Sequence, residues 1–344
     1  MVNQRHFDGL DACLDDLVRE LERLQGVVLT SGKRSFFSGP DVVLSEIPVE
    51  ELRNTYALVV PIRDQLRRLE TMGRPAVAAL TGSALGSGFE IALACHHRVG
   101  LDTRETVWGL PEVGMRIMPG GGGLVRVTRM FGVVPAVEEI VGPGAVYRPR
   151  AALQAGLVDE LAATRELVIE RARTWFQSSW LVPGDGFGQP WERPGREIPG
   201  SSELDRTLPE LAARVRSRVD GTPLLALPAI LRVATVAATS QIDTAFAAET
   251  AAFLDLLHAP ATAALAPLYF DLVAVAHDHA NQAAVGDSAR AVTDALLDAV
   301  YAATAQAVQN TSISASDANT CSIYAVGLPK WTGGAAQLSA SRAV

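Results

Sequence analysis

The chain has 344 residues and a mass of 36.4 kDa, enough for two domains or one large domain with an appendage. With 48% hydrophobic and 20% charged residues and a mean hydropathy of +0.17, it carries material for a sizeable core, which excludes a chain disordered throughout. A net charge of −8 and a pI near 5.3 exclude the basic footprint that holds nucleic acid by counterion release.

The first twenty residues carry Asp8, Asp11, Asp15, Asp16 and Glu20 with no apolar block, unlike a secretory signal, so the cytoplasm is the expected compartment. Over 8–25, Leu10, Cys13, Leu14, Leu17, Leu21 and Leu24 recur at helical spacing, which predicts an amphipathic helix ended by Gly26. Val27-Val28-Leu29-Thr30 then reads as a strand buried on both faces. A second helix over 49–71 leads through Gly73-Arg74-Pro75 into another buried strand, Ala76 to Leu80, and a Gly-rich turn, Gly82 to Gly88. A third helix starts near Phe89 and runs through His96-His97. Arg98 to Leu101 reads as a strand and Trp108 to Pro119 as an irregular loop entering Gly120 to Gly123. Helices are predicted over 122–131, 135–141, 149–155 and 163–177. This order argues for an α/β layered domain to about residue 165.

From 181 to 224 prolines and glycines are dense, which predicts a long surface connection with one short helix near 208–218. Residues 225–283 return to helical periodicity. Their apolar stretches, 224–231 and 261–276, are cut by Pro228, Arg232, Pro267 and Asp271, so neither supplies the roughly 18 apolar residues of a membrane span. A polar joint at 284–289 precedes a helix over 290–309 and a Ser/Thr/Ala/Gly-rich end. Cys13, Cys95 and Cys321 are too scattered for a disulfide framework or a zinc site, and reduced, mostly buried thiols are expected.

Two carboxylates stand out by context: Glu90 opens a helix after Gly86-Ser87-Gly88, and Glu112 lies in the loop Gly109-Leu110-Pro111-Glu112. Both fall in βα connections, where α/β proteins build their sites. Taken alone they also read as helix-dipole partners or caps. The glycines can bring backbone N–H groups close to a developing negative charge, or can be tight turns. Gly120 to Gly123 lacks the preceding strand and the later ribose-binding acid of a dinucleotide site. His96 and His97 point in different directions on a helix, which makes a poor metal pair and suggests a hydrogen-bonding role at a helix end. Ser31, Ser35 and Ser38 lack the base and orienter of a nucleophilic triad.

The run Arg74 to Glu90, followed by Trp108-Gly109-Leu110-Pro111-Glu112 and Pro119-Gly120-Gly121-Gly122, resembles the crotonase, or enoyl-CoA hydratase/isomerase, family. Gly26 to Asp41, with Phe36-Phe37-Ser38-Gly39, is similar to the family's upstream oxyanion block, and Ala151 to Asp159 to its later helix and turn. Within the family the chain is most similar to the multifunctional β-oxidation α subunit, which joins a hydratase to a 3-hydroxyacyl-CoA dehydrogenase. Gln189-Pro190-Trp191 and 225–283 look like its hydratase-side linker, and Ala315 to Gln337 like the far end of its dehydrogenase half. The Rossmann segment between them is missing at the 284–289 joint, so dehydrogenase activity is not expected.

The resemblance implies an α/β fold: a crotonase-like ββα spiral core over 1–165, shortened at its start, then a helix and Pro/Gly-rich connection over 166–224. A helical linker or oligomerisation region over 225–283 and a dehydrogenase remnant over 284–344 complete the chain. It implies a lyase-like hydratase, dehydratase or isomerase acting through an enolate on an acyl thioester, the CoA or carrier-protein phosphopantetheine being part of the substrate, with no separate cofactor and no metal. Glu90 would deprotonate the attacking water and Glu112 exchange the α-carbon proton. Ser87 would supply an oxyanion N–H, with Gly86, Gly39 and Pro40 lining the carbonyl pocket. Ser87 stands where the family has glycine. Pro40 stands at the other donor position without an N–H, at a cost of about 2.7 to 4 kcal/mol. The short start puts CoA adenine recognition in question and favours a carrier-bound substrate. Partners would be further copies in a trimer or hexamer, or a related subunit. The contrasting reading is a catalytically degenerate subunit kept as a scaffold.

Overall fold

The computed structural model describes residues 4–38, 59–176, 189–192, 195–219, 226–257, 259 and 300. The expected single helix over 8–25 is a helix at Gln4–Arg19 followed by a 3-10 turn at Leu21–Arg23. Four strands, β1 (Val27–Thr30), β3 (Ala76–Leu80), β5 (His97–Leu101) and β8 (Glu160–Ala162), form one wholly parallel sheet in the order β1-β3-β5-β8. A second sheet orders β2 (Phe37–Ser38), β4 (Ala84–Leu85), β6 (Trp108–Gly109) and β7 (Val146–Tyr147), parallel except for the last pair.

Each of β1, β3 and β5 is followed by a two-residue strand of the other sheet and then by a helix: Val59–Thr71, Ser87–Leu93 and Gly123–Phe131 in turn. This strand, strand, helix spiral is the expected α/β core. The short strands and β8 are corrections to the sequence reading, because two or three residues carry no readable alternation. β3 explains why its sequence is a continuous apolar run. Ala76, Ala78 and Leu80 face the main core, while Val77 and Ala79 pack with Val99, Leu101 and Ala162 beneath the Arg165–Trp175 helix.

The two sheets are pinned together by Trp108. Its fully buried ring lies against Gly100 of β5, where a β-carbon would come within 2.4 Å of it, and its Nε1–H donates to the Gly82 carbonyl at 3.1 Å.

Two further expectations are corrected. The helix after the Gly-rich turn ends at Leu93, so His97 begins β5 rather than sharing a helix with His96. His96 Nδ1 accepts the Ala76 N–H at 3.0 Å, whereas His97 stacks on Trp175 and meets Glu160 Oε1 at 3.0 Å. The helix in the Pro/Gly-rich connection is Leu204–Val219, longer than expected. Pro209 lies in its early turns, and burial of Leu204, Leu211 and Val215 offsets the bond it forfeits. Of the described thiols, Cys95 is buried and Cys13 is exposed, while Cys321 lies outside the described residues.

Helices Ala226–Thr239 and Ile242–Leu257 bear out the helical reading of 225–257 and pack on Gly123–Phe131 of the same chain. The expected helix start over 49–58, residues Gly39 and Pro40, and all of 260–344 except Val300 lie outside the described residues. Among the described residues no helix is long and apolar enough to cross a membrane.

Replacing Trp108 by Ala should cost about 3–5 kcal/mol, the usual penalty for emptying a large aromatic site. Urea denaturation followed by circular dichroism would measure it, and a loss below about 1 kcal/mol would contradict the pinning role.

Candidate active site

Glu90 sits in the first turn of the Ser87–Leu93 helix, which starts at Gly86 with φ +57°, a backbone region that glycine tolerates and side chains strain. Its carboxylate does not serve its own helix. Oε1 accepts the N–H groups of Gly121 at 2.9 Å and Gly123 at 2.8 Å, so Glu90 holds the N-terminus of the next helix, Gly123–Phe131.

The intervening amides turn the other way. Gly122 N–H and Val125 N–H donate to the two oxygens of Glu249 at 2.5 and 2.8 Å. The glycine run is therefore a clamp on two of the chain's own carboxylates. A β-carbon on Gly121 would lie 2.9 Å from Glu90 Oε2, one on Gly123 2.8 Å from Glu90 Oε1, and one on Gly120 2.7 Å from the Phe253 ring.

Glu112 opens a 3-10 turn, Glu112–Met115, directly after β6. It is buried, its Oε2 has no hydrogen-bond partner among the described residues, and its Oε1 lies 3.0 Å from where a Gly86 β-carbon would stand. Glu112 thus borders the Gly86–Ser87 turn. Ser87 is the first residue of its helix, so its N–H is one of those with no acceptor inside the helix.

Sequence reasoning missed Glu249, Glu70, Arg126 and Gln189. Arg126 is fully buried; its Nε and Nη2 donate to both oxygens of Glu70 at 2.7 and 3.0 Å, its Nη1 donates to the Gly121 carbonyl at 2.8 Å, and it stacks over Phe246. Gln189 bridges Glu70 to the Ala94 carbonyl through Nε2, at 3.1 and 2.8 Å. One signal was available: Glu249 is a lone acid in the run Ala247-Ala248-Glu249-Thr250-Ala251-Ala252, and a charge on an apolar helix needs a partner.

Burial raises the Glu90 carboxyl, opposed by the Gly123 amide, the Arg126 guanidinium and the Gly121 amide. Burial, then the charge of Glu90, pushes Glu249 up to about 8. Glu112 is held well above the usual carboxylate range by burial first, then by Glu90 and Glu249. Among the described residues the guanidinium beside these acids, Arg126, is already paired with Glu70, so the like charges raise one another. Glu112 has an oxygen without a hydrogen-bond partner among the described residues, whereas Glu90 has two amides and Arg126 close by. Burial pushes the Cys95 thiol up to about 12, which removes it as a nucleophile, and among the described residues no cluster suits a metal.

A profile of the family described as enoyl-CoA hydratase/isomerase matches residues 3–181. A fatty acid oxidation complex subunit alpha from a Shewanella species is 36% identical over 192 residues, which cover 51% of this chain and 27% of that protein. The corresponding subunit of Shewanella oneidensis is 36% identical over 152 residues, 43% of this chain and 21% of that protein. The chain thus matches about a quarter of the length of these curated relatives. An enoyl-CoA hydratase structure from Bacillus anthracis shares 29% identity at a TM-score of 0.45, covering 51% of this chain and 66% of that one.

Acids raised by folding bind protons that the unfolded chain has released, so stability falls as pH rises from about 4.3, where a free glutamate ionises, to about 8, the Glu249 value. The substitution Glu112→Gln should make that decline shallower. Urea denaturation across the window measures it, and parallel curves for the two proteins would contradict a protonated Glu112.

Proposed function

The chain belongs to the enoyl-CoA hydratase/isomerase family, and from that premise we propose that it is a lyase that adds water to, or removes it from, an α,β-unsaturated acyl thioester. The observation that carries this reading is the burial of two carboxyls by the Gly86–Ser87 turn, Glu90 in the first turn of its helix and Glu112 with Oε1 3.0 Å from where a Gly86 β-carbon would stand.

In hydration, ionised Glu90 takes a proton from water as its oxygen bonds to the β-carbon. The double-bond electrons move toward the thioester carbonyl, whose developing negative charge the Ser87 N–H receives. Glu112 then gives its proton to the α-carbon, the carbonyl re-forms, and exchange with solvent resets both acids. Dehydration is the reverse, and double-bond migration uses the α-proton step alone. The arrangement supplies general acid–base catalysis, worth about 10²–10⁴ per group, and partial oxyanion stabilisation.

By the family motif the other oxyanion donor falls at Pro40, which has no N–H to give. That favours a slow, specialised reaction over bulk fatty-acid degradation. The thioester acted on is borne by CoA or by a carrier protein. The cytoplasm and a homo-oligomer belong to the same proposal.

Short-chain enoyl-CoA and enoyl-carrier thioesters, followed by loss of the conjugated absorbance, test the reading. Glu90→Gln and Glu112→Gln should each lower kcat by about 10²–10⁴ with KM little changed. Pro40→Ala, by restoring a donor, should raise kcat by up to roughly a hundredfold. Progress curves indistinguishable between wild type and Glu112→Gln on every thioester would overturn it.

A further inference from the structure

We propose that Glu249 is a positioning residue for Glu90, the base of the pair above: by taking the Gly122 and Val125 amides it turns the Gly121 and Gly123 amides onto Glu90. The inference rests on the function proposed above for that pair.

The geometry carries it. Glu249 is fully buried on the Ile242–Leu257 helix, where solvent cannot stabilise its charge, and its two described contacts are both backbone N–H groups of one short loop. Gly122, at φ +100°, is the pivot. Its own N–H faces Glu249, while the N–H groups on either side of it, of Gly121 and Gly123, face Glu90. A loop of glycines has no side chains to hold it in one conformation, so its register depends on these two acceptors. Removing one releases the other.

Charged groups come to Glu249 from the elements packed against it. Glu90 faces it from the Ser87–Leu93 helix and Glu112 from the 3-10 turn, both repelling it; Arg126 faces it from Gly123–Phe131 and attracts it, with Glu70 of Val59–Thr71 behind that guanidinium. From the same Val59–Thr71 helix Arg63 donates to the neighbouring Thr250 hydroxyl at 2.6 Å. The Ala226–Thr239 helix, also packed against it, has Arg232 as its charged residue. Glutamine at 249 leaves one acceptor oxygen for two amides.

The test uses the full-length protein without substrate, so that it reads the site even if no thioester tried is turned over. Amide hydrogen exchange reports Gly121 and Gly123. In Glu249→Gln exchange at Gly121 and Gly123 should quicken about tenfold, the factor expected for a lost hydrogen bond. Leu257→Ala, which loosens the same helix away from the loop, should leave exchange at these two amides as it is. Unchanged exchange in Glu249→Gln, or an equal quickening in Leu257→Ala, would overturn the proposal. If the glutamine variant does not fold, Glu249→Asp decides: quicker exchange at Gly121 and Gly123 supports the positioning role, and unchanged exchange overturns it.

Discussion

A glycine loop whose successive N–H groups point alternately to two buried carboxylates is the constraint around which the rest of this protein is arranged. Burying an acid is costly unless hydrogen bonds replace its water, and here the start of one helix, Gly123–Phe131, supplies them to both Glu90 and Glu249. The spiral of strand, strand and helix brings Glu90 to that helix start from one layer. The later helical layer brings Glu249 from the other. Glu112 lacks such donors on one oxygen, and burial holds its carboxyl well above the usual carboxylate range.

The neighbouring ion pair follows from the same demand. Arg126 emerges from the helix that the two acids cap, and an unpaired guanidinium there would draw the nearby carboxylates to itself. Glu70 occupies its fork bidentately, Gln189 steadies Glu70, and Arg67 reaches the same carboxylate from the edge while pairing with Glu192. The site keeps a cation near enough to favour ionisation of Glu90 without extinguishing the difference between Glu90 and Glu112.

Legibility in the sequence followed the range of the forces involved. β1 and β3 could be read because strands buried on both faces are apolar without interruption. Glu90 and Glu112 could be read because they lie in local motifs of recognisable spacing. The two-residue strands could not, since their existence is decided by pairing with distant segments such as Phe37 with Ala84. His97 was placed in a helix because Ala92, Leu93 and Ala94 carry helical propensity into it, whereas pairing with Val77 makes it the first residue of β5. Arg126 and Glu70 looked like ordinary charged faces of amphipathic helices. Only their mutual burial, 56 residues apart in the chain, gives them a role.

The distance along the chain between the loop and Glu249 has a consequence for synthesis. Glu90 precedes Gly121 by 31 residues, but Glu249 follows Gly122 by 127. As the polypeptide leaves the ribosome, the Glu90 half of the clamp is synthesised long before the Glu249 half. Closure of the loop on both acids awaits arrival of the Ile242–Leu257 segment.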